Sequence, residues 1–225
     1  MSGTGSSTRG GRPDGRPLLI LGTTDFSAQV AASAADAGFG VAGFVENLSR
    51  ERCRETLAGL PIHWIDDLAE LSRTHIAVCG LGTTRRSLFV EQAARHGLHF
   101  ATVVHPTAYV APTSTLGEGA YIGPHAAIAG YTRIGRHALV LMGGLIGHHT
   151  EIGDFASILM GASVAGSCRI GEAAYVATGA VVIDHVSVGS GSVVGAGAVV
   201  VADVPDGVQV LGVPARIVKE GIEPR

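Results

Sequence analysis

Residues 122–158 read IGPHAAIAGYTRIGRHALVLMGGLIGHHTEIGDFASI. Ile122, Ile128, Ile134, Val140, Ile146, Ile152 and Ile158 stand six apart, and two places before each is a small residue, from Ala120 through Thr132 and Gly144 to Ala156. The step of six runs on in both directions, down through Leu116 and Val110 to Val104, and up through Val164, Ile170, Val176, Val182, Val188 and Val194 to Val200. All seventeen positions are Val, Ile or Leu, and among the residues two places before them only Val186 is not small. A fixed short period that leaves one aliphatic per unit to bury is the mark of a solenoid, in which each unit stacks on its neighbours to close a continuous core. Six residues make one short strand and one corner, so three units make a three-sided coil of eighteen. Gly117, Gly135, Gly153, Gly171 and Gly189 then fall at one corner of every coil, where a tight bend leaves little room for a side chain. Residues 104–200 amount to a little over five coils. With neighbouring strands about 4.8 Å apart, the prism stands roughly 25 Å tall.

The rest of the composition agrees. The chain has 225 residues, 46% hydrophobic and 16% charged, with 33 glycines and 5% aromatics, which gives it material for a real core built from small and aliphatic side chains. Only eight charged residues fall within 104–200, so the prism is nearly free of charge. A net charge of −3 with no basic run excludes nucleic acid or an anionic membrane as the main partner. Cys53, Cys79 and Cys168 form neither a zinc spacing nor a disulfide framework, and the expected location is a reducing cytoplasm. Residues 1–16, MSGTGSSTRGGRPDGR, carry no apolar stretch and are expected to form a disordered arm, neither signal peptide nor spanning helix. The apolar stretch around Val193 to Ala202 is broken by glycines and too short to cross a bilayer.

Residues 17–103 follow another grammar. Pro17 to Leu21 is an apolar run, Gly22-Thr23-Thr24 a turn, and an alanine-rich stretch with Phe26 and Val30 on a helical period leads through Gly38 to a second run ending at Val45. A second unit has Ile76 to Cys79 as strand, Gly80-Leu81-Gly82 as turn, a polar helix through Arg85 and Arg86 to Arg95, and a strand from Phe100 to Val104. This is a small parallel α/β domain of Rossmann-like pattern, with its loops at the carboxyl ends of the strands. Gly22 after one strand and Glu46 at the end of the next fit a nucleotide site, the glycine admitting a phosphate and the acid a ribose hydroxyl. Asp25 and Ser27 stand where a dinucleotide fingerprint needs further glycines, which excludes NAD and FAD. A plain turn between strand and helix is the competing reading.

Six of the ten histidines lie in the prism. His148 and His149 follow Ile146 by two and three places, so the lattice puts them at a corner and pointing outward. The unit [Leu/Ile/Val]-Gly-x-x-x-x resembles the hexapeptide-repeat acyltransferases. The order of parts, α/β domain, repeat helix and a tail through Gly212-Val213-Pro214-Ala215-Arg216, is similar to the bacterial sialic acid O-acetyltransferase and UDP-4-amino-sugar N-acetyltransferase family over residues 17–218. The resemblance implies a left-handed parallel β-helix, a homotrimer, acetyl-CoA as acyl donor, no metal, and a sugar acceptor held on a nucleotide by the front domain, with Gly22, Thr23, Thr24 and Glu46 as its contacts. It implies four parts: a tail at 1–16, a substrate domain at 17–103, the acyltransferase helix at 104–204, and a segment at 205–225 that closes the last coil. Family members carry a general-base histidine four places before an Ile-Gly, in a cleft between two subunits, and His148 stands four before Ile152-Gly153.

Acyl transfer from a thioester to an amine or hydroxyl needs a base that takes the proton and a donor for the oxyanion. Imidazole supplies the first. Eighteen residues beyond His148, about 4.8 Å along the axis, is Gly166, where the family's oxyanion donor falls. The resemblance places the coenzyme beside Ala177, Thr178, Gly179, Gly195 and Ala196, with Gly212 to Arg216 closing it, Pro214 in the turn and Arg216 available to a phosphate. Two positions depart from the family: His149 stands for the acidic neighbour of the base, with Glu151 a candidate substitute, and Ser157 stands for a second histidine that contacts the thioester. Two other classes compete. One is a trimeric binding module without activity. The other is a γ-type carbonic anhydrase, which needs a histidine five places beyond another, a spacing no pair in the prism has, while His149 and His185 are two coils apart, about 9.6 Å.

Overall fold

The computed structural model describes residues 15–223, so nearly all of the expected N-terminal arm lies outside the described residues. The first sheet is built from β1 (Leu18–Leu21), β2 (Val41–Glu46), β3 (Thr56–Leu57), β4 (Leu60–Trp64), β5 (Ile76–Cys79) and β6 (His99–Phe100), in the order β3-β4-β2-β1-β5-β6. All neighbours are parallel except the β3–β4 hairpin. β1 and β5 are uninterrupted apolar runs because both are buried on both faces. Between them run α1 (Asp25–Asp36), the short α2 (Leu68–Leu71) and, after β5, α3 (Arg86–Arg95). From β1 the chain goes to one side and returns on the other at β5, which makes the carboxyl ends of β1 and β5 a topological switch point.

Two elements differ from expectation. The strand expected at Phe100 to Val104 is split: Ala101 N–H bonds Ala77 O in the first sheet, whereas Val103 N–H bonds Ala120 O in the prism, so the chain changes sheets within three residues. The β3–β4 hairpin has no counterpart in the sequence reading. Its turn at Ala58-Gly59 takes two positive φ values, 48° and 77°, and Pro61 inside β4 masks a strand that the antiparallel β3 leaves able to tolerate it.

The prism is a parallel β-helix of two-residue strands stacked at i and i+18, as in Ile122 opposite Val140. Its interior is the predicted column of aliphatics with Ala120, Ala138, Ala156 and Ala174 between them. Each buried Val or Ile contributes about 1.5–3 kcal/mol. The glycine ladder has a different cause from the bend. A Cβ on Gly117 would lie 2.6 Å from Arg136 N, and one on Gly153 2.6 Å from Glu172 N, so these glycines exist to let successive coils touch. The left-handed conformation falls two places later, at Gly119, His137, Phe155, Ala173 and Gly191. A third device ties one corner. Ser114 Oγ, Thr132 Oγ1, Thr150 Oγ1 and Cys168 Sγ donate to Ala129 O, Gly147 O, Ala165 O and Ile183 O of the next coil at 2.7, 2.9, 2.9 and 3.0 Å. The last coil is shorter, with Val188 opposite Val204 and Val194 opposite Val210, after which Arg216–Lys219 folds back antiparallel on Gln209–Leu211.

The three outer faces differ. Tyr121 and Leu139 of the first are buried against Leu18, Ile20, Val30 and Phe44 of the front domain. The third presents Arg133, Glu151 and Arg169, paired at 3.9 and 3.5 Å in solvent, where such pairs are worth about 0–1 kcal/mol each. The second, carrying Tyr109, Ala127, Leu145, Ser163, Val181 and Val199, has neither cover nor charge: Tyr109 is 61% and Leu145 49% exposed.

Where α3 meets the prism, Arg86 is 1% exposed and reaches no carboxylate. Its guanidinium instead donates to Thr83 O, His137 O, Phe155 O, Ala156 O and Ser157 Oγ at 2.8–3.1 Å, and burial lowers its pKa to about 10. His137 lies between the Phe100 edge and the Phe155 face at 4.7 and 5.1 Å. Burial first, then the charges of Arg86 and Arg136, lower its pKa from 6.5 to about 4. A base depressed in the folded state takes its proton first in the unfolded chain. The stability this gives is complete above pH 6.5 and is lost as the pH falls through 4, a loss on the order of 2 kcal/mol. Urea unfolding between pH 7 and 4 is expected to show that loss, and His137→Asn, which suits the positive φ, to flatten it.

Candidate active site

His148 and His149 occupy the corner between the apolar second face and the charged third face, and both are exposed. Their Nδ1 atoms are 3.1 Å apart with the rings at 85°, a hydrogen bond in which one ring donates and the other accepts. His149 has φ 57° and stacks on Tyr131 of the preceding coil, centroids 4.9 Å apart and planes at 24°. The ring of His148 lies against Gly166, where a Cβ would come within 2.9 Å of Cε1 and 3.0 Å of Nε2. Only glycine lets the imidazole sit there. The backbone is otherwise paired, His148 O accepting from Ser167 N and Gly166 O from His185 N, while the Gly166 N–H has no hydrogen-bond partner among the described residues. Glu151 does not turn to the base: its carboxylate pairs with Arg133 and Arg169. Ser157 is fully buried on the first face under Arg86, far around the coil from this corner.

The other expected residues gather at the opposite edge of the second face. Ala177 is buried, Thr178 and Gly179 are exposed, and Ala196 is exposed one coil on. Gly195 is covered, since a Cβ there would meet Leu211 Cδ2 at 1.9 Å. Gly212, Pro214 and Arg216 are exposed beside them, tied in through Ala215 N to Val199 O at 2.7 Å, and the Arg216 guanidinium bonds Ala215 O at 2.8 Å. The same edge adjoins the front domain: Phe26 and Gln29 of α1 share a cavity of about 130 Å³ with Met142 and Met160 of that corner.

At the switch point Gly22 has φ 111° and is overlain by Leu81, whose Cδ2 would be 2.5 Å from a Cβ. Thr24 caps α1, accepting from Ser27 N at 3.3 Å, with Ser27 Oγ accepting from Thr24 N at 3.1 Å. Thr23 donates its hydroxyl to Glu46 Oε2, and Asn47 N and Leu48 N bond Oε1 at 2.9 and 2.7 Å. Burial pushes the Glu46 carboxyl up, but the Thr23 hydroxyl and the N–H groups of Leu48, Asn47 and Ser49 outweigh it and hold the group below its usual range. Arg52, which the sequence reading missed, reaches Thr23 Oγ1 and O at 2.8 and 2.9 Å and Glu46 at 3.8 Å. Tyr131 was also missed, although it stands one coil before His149. Among the described residues no three His, Cys, Asp or Glu side chains converge as a metal site, and no helix is long and apolar enough to cross a membrane.

No protein-family model and no curated protein sequence matches the chain. Solved structures do. The acetyltransferase domain of PglB from Neisseria gonorrhoeae, in complex with acetyl coenzyme A, is 30% identical over 90% of this chain and 99% of its own, with a TM-score of 0.84. A perosamine N-acetyltransferase from Caulobacter crescentus, solved with CoA and GDP-perosamine and with one histidine changed to asparagine, is 29% identical over 91% and 97%, TM-score 0.85. WeeI from Acinetobacter baumannii is 25% identical over 89% and 99%, TM-score 0.81. Fold and neighbours define an acyltransferase built on a parallel β-helix. The chain belongs to the hexapeptide-repeat sugar acyltransferase family.

Proposed function

We propose that the protein transfers an acyl group, acetyl in the first instance, from coenzyme A to an amino or hydroxyl group of a nucleotide-linked sugar, with His148 as general base. The observation that carries this is the His148 ring lying on Gly166, which brings a basic nitrogen and an unpaired N–H to one point. With His149 protonated on Nε2 alone, its Nδ1 accepts from His148 Nδ1–H and leaves the lone pair on His148 Nε2. As the acceptor attacks the thioester carbonyl, Nε2 takes its proton. The Gly166 N–H receives the oxyanion, and on collapse the imidazolium returns the proton to the departing coenzyme A thiolate. His149 thus fills the place of the family's acid by fixing the tautomer.

Within one chain the front domain and the expected coenzyme residues border one edge of the second face, and His148 stands at the other. The uncovered apolar face between them supports a left-handed homotrimer in which one subunit's base meets its neighbour's Rossmann-like substrate domain and coenzyme groove. A shallow groove of about 370 Å³ along that face, lined by Tyr109, Leu145, Gly147 and Ala165, ends at the histidine corner. The GDP-perosamine bound by the Caulobacter enzyme favours a nucleotide-linked amino sugar as acceptor. The domains act as sequence reading divides them, in a cytoplasm that supplies acetyl-CoA. Thiol release from acetyl-CoA, followed with GDP- and UDP-linked amino sugars and their free sugars, is expected to show turnover with a nucleotide-linked acceptor. No release above buffer with any of them overturns the reading.

A further inference from the structure

We infer that Thr150 is a positioning residue for the oxyanion donor, an inference that rests on the roles proposed above for His148 and Gly166. Thr150 is fully buried, and its hydroxyl donates to Ala165 O at 2.9 Å while accepting from Cys168 N at 3.2 Å. Ala165 C=O and Gly166 N–H are the two ends of one planar peptide. A hydrogen bond to that oxygen fixes the plane in which the N–H points and polarises the amide, which makes the N–H a stronger donor. Ala165 N is bonded to Val182 O at 2.9 Å, so the peptide is held from both sides. Thr150 also lies two places after His148, with its hydroxyl 3.5 Å from His148 O. One side chain therefore links the turn that carries the base to the peptide that carries the donor.

Ser114, Thr132 and Cys168 make the same bond at other coils, so the bond as such belongs to the lattice. What sets Thr150 apart is the peptide it holds. The column also shows which substitutions the fold accepts: Val186 occupies the equivalent place one coil beyond Cys168 and is 6% exposed. Thr150→Val is thus a residue the lattice already carries.

The test compares the full-length enzyme with Thr150→Val, Thr150→Ser and Ser114→Ala, measuring kcat, the KM for acetyl-CoA and the thermal midpoint. Thr150→Val is expected to lower kcat about tenfold with KM within twofold, a fraction of the hundredfold or more that loss of an oxyanion donor costs. Thr150→Ser is expected to restore kcat to within about threefold of wild type. Ser114→Ala removes the same kind of bond at a coil without reaction chemistry, and is expected to lower the midpoint while leaving kcat unchanged. A Thr150→Val enzyme with kcat within twofold of wild type, or a Ser114→Ala enzyme that loses kcat as much, overturns the assignment. Should His148→Ala keep full activity, the base reading fails instead, and the two outcomes are read from separate variants.

Discussion

His148→Ala is expected to lower kcat for acetyl transfer about 10³-fold, within the range for removal of a general base, while the KM for acetyl-CoA stays within a few-fold. The imidazole touches the proton in flight and not the coenzyme, so its loss falls on the transition state, about 4 kcal/mol of it. The ring packs on Gly166 and is exposed outward, so the prism keeps its aliphatic column and the variant is expected to melt with wild type. His149→Ala removes the acceptor at Nδ1, 3.1 Å away, and leaves the base in place but free to take the wrong tautomer. An intermediate loss of about tenfold follows. Thiol release at saturating acetyl-CoA measures both variants. Unchanged turnover in His148→Ala refutes the base.

Arg86→Met is expected to destabilise the protein by about 3–5 kcal/mol, the cost of breaking a buried charged network. The methionine keeps most of the stem's packing but gives nothing to the carbonyls of His137 and Phe155, both of which then lie at a buried seam without the donors they face here. Lysine is no substitute, because three donors on one nitrogen cannot span five acceptors spread around a planar fork. Trp64 is the sole tryptophan and stands in the front domain, so its fluorescence reports that domain alone. In urea its transition is expected to shift to lower concentration, ahead of the far-ultraviolet signal of the prism. Coincident, unshifted transitions refute the role.

The prism was legible because its interior obeys one rule repeated without interruption: Ile122, Ile128 and Ile134 sit where counting by six puts them, and so does the contact between His148 and Gly166. The outer columns obey the same count, and Tyr109, Leu145 and Val181 against Arg133, Glu151 and Arg169 would have told the bare face from the charged one. Reading only the inward positions left Tyr131 unseen beneath His149. Other features carry no period. Arg86 reads as one more cation on a polar helix, since nothing local says that its acceptors lie 51 to 71 residues away. Ser157 marks a departure from the family pattern in sequence, and only the fold shows that its hydroxyl holds Arg86. The coenzyme residues were placed by family likeness, which could not foresee that Leu211 covers Gly195.

The stacking at i and i+18 makes chain length a quantised variable. Loss of one whole coil below the histidine corner would lower the site along the axis and leave its neighbours intact. Loss of six residues would carry everything above onto the wrong face, and loss of one or two would turn buried aliphatics out to solvent. The chain omits two residues at one place, the final coil, where Val188 meets Val204. There the only structure left to keep in register is the returning strand Arg216–Lys219.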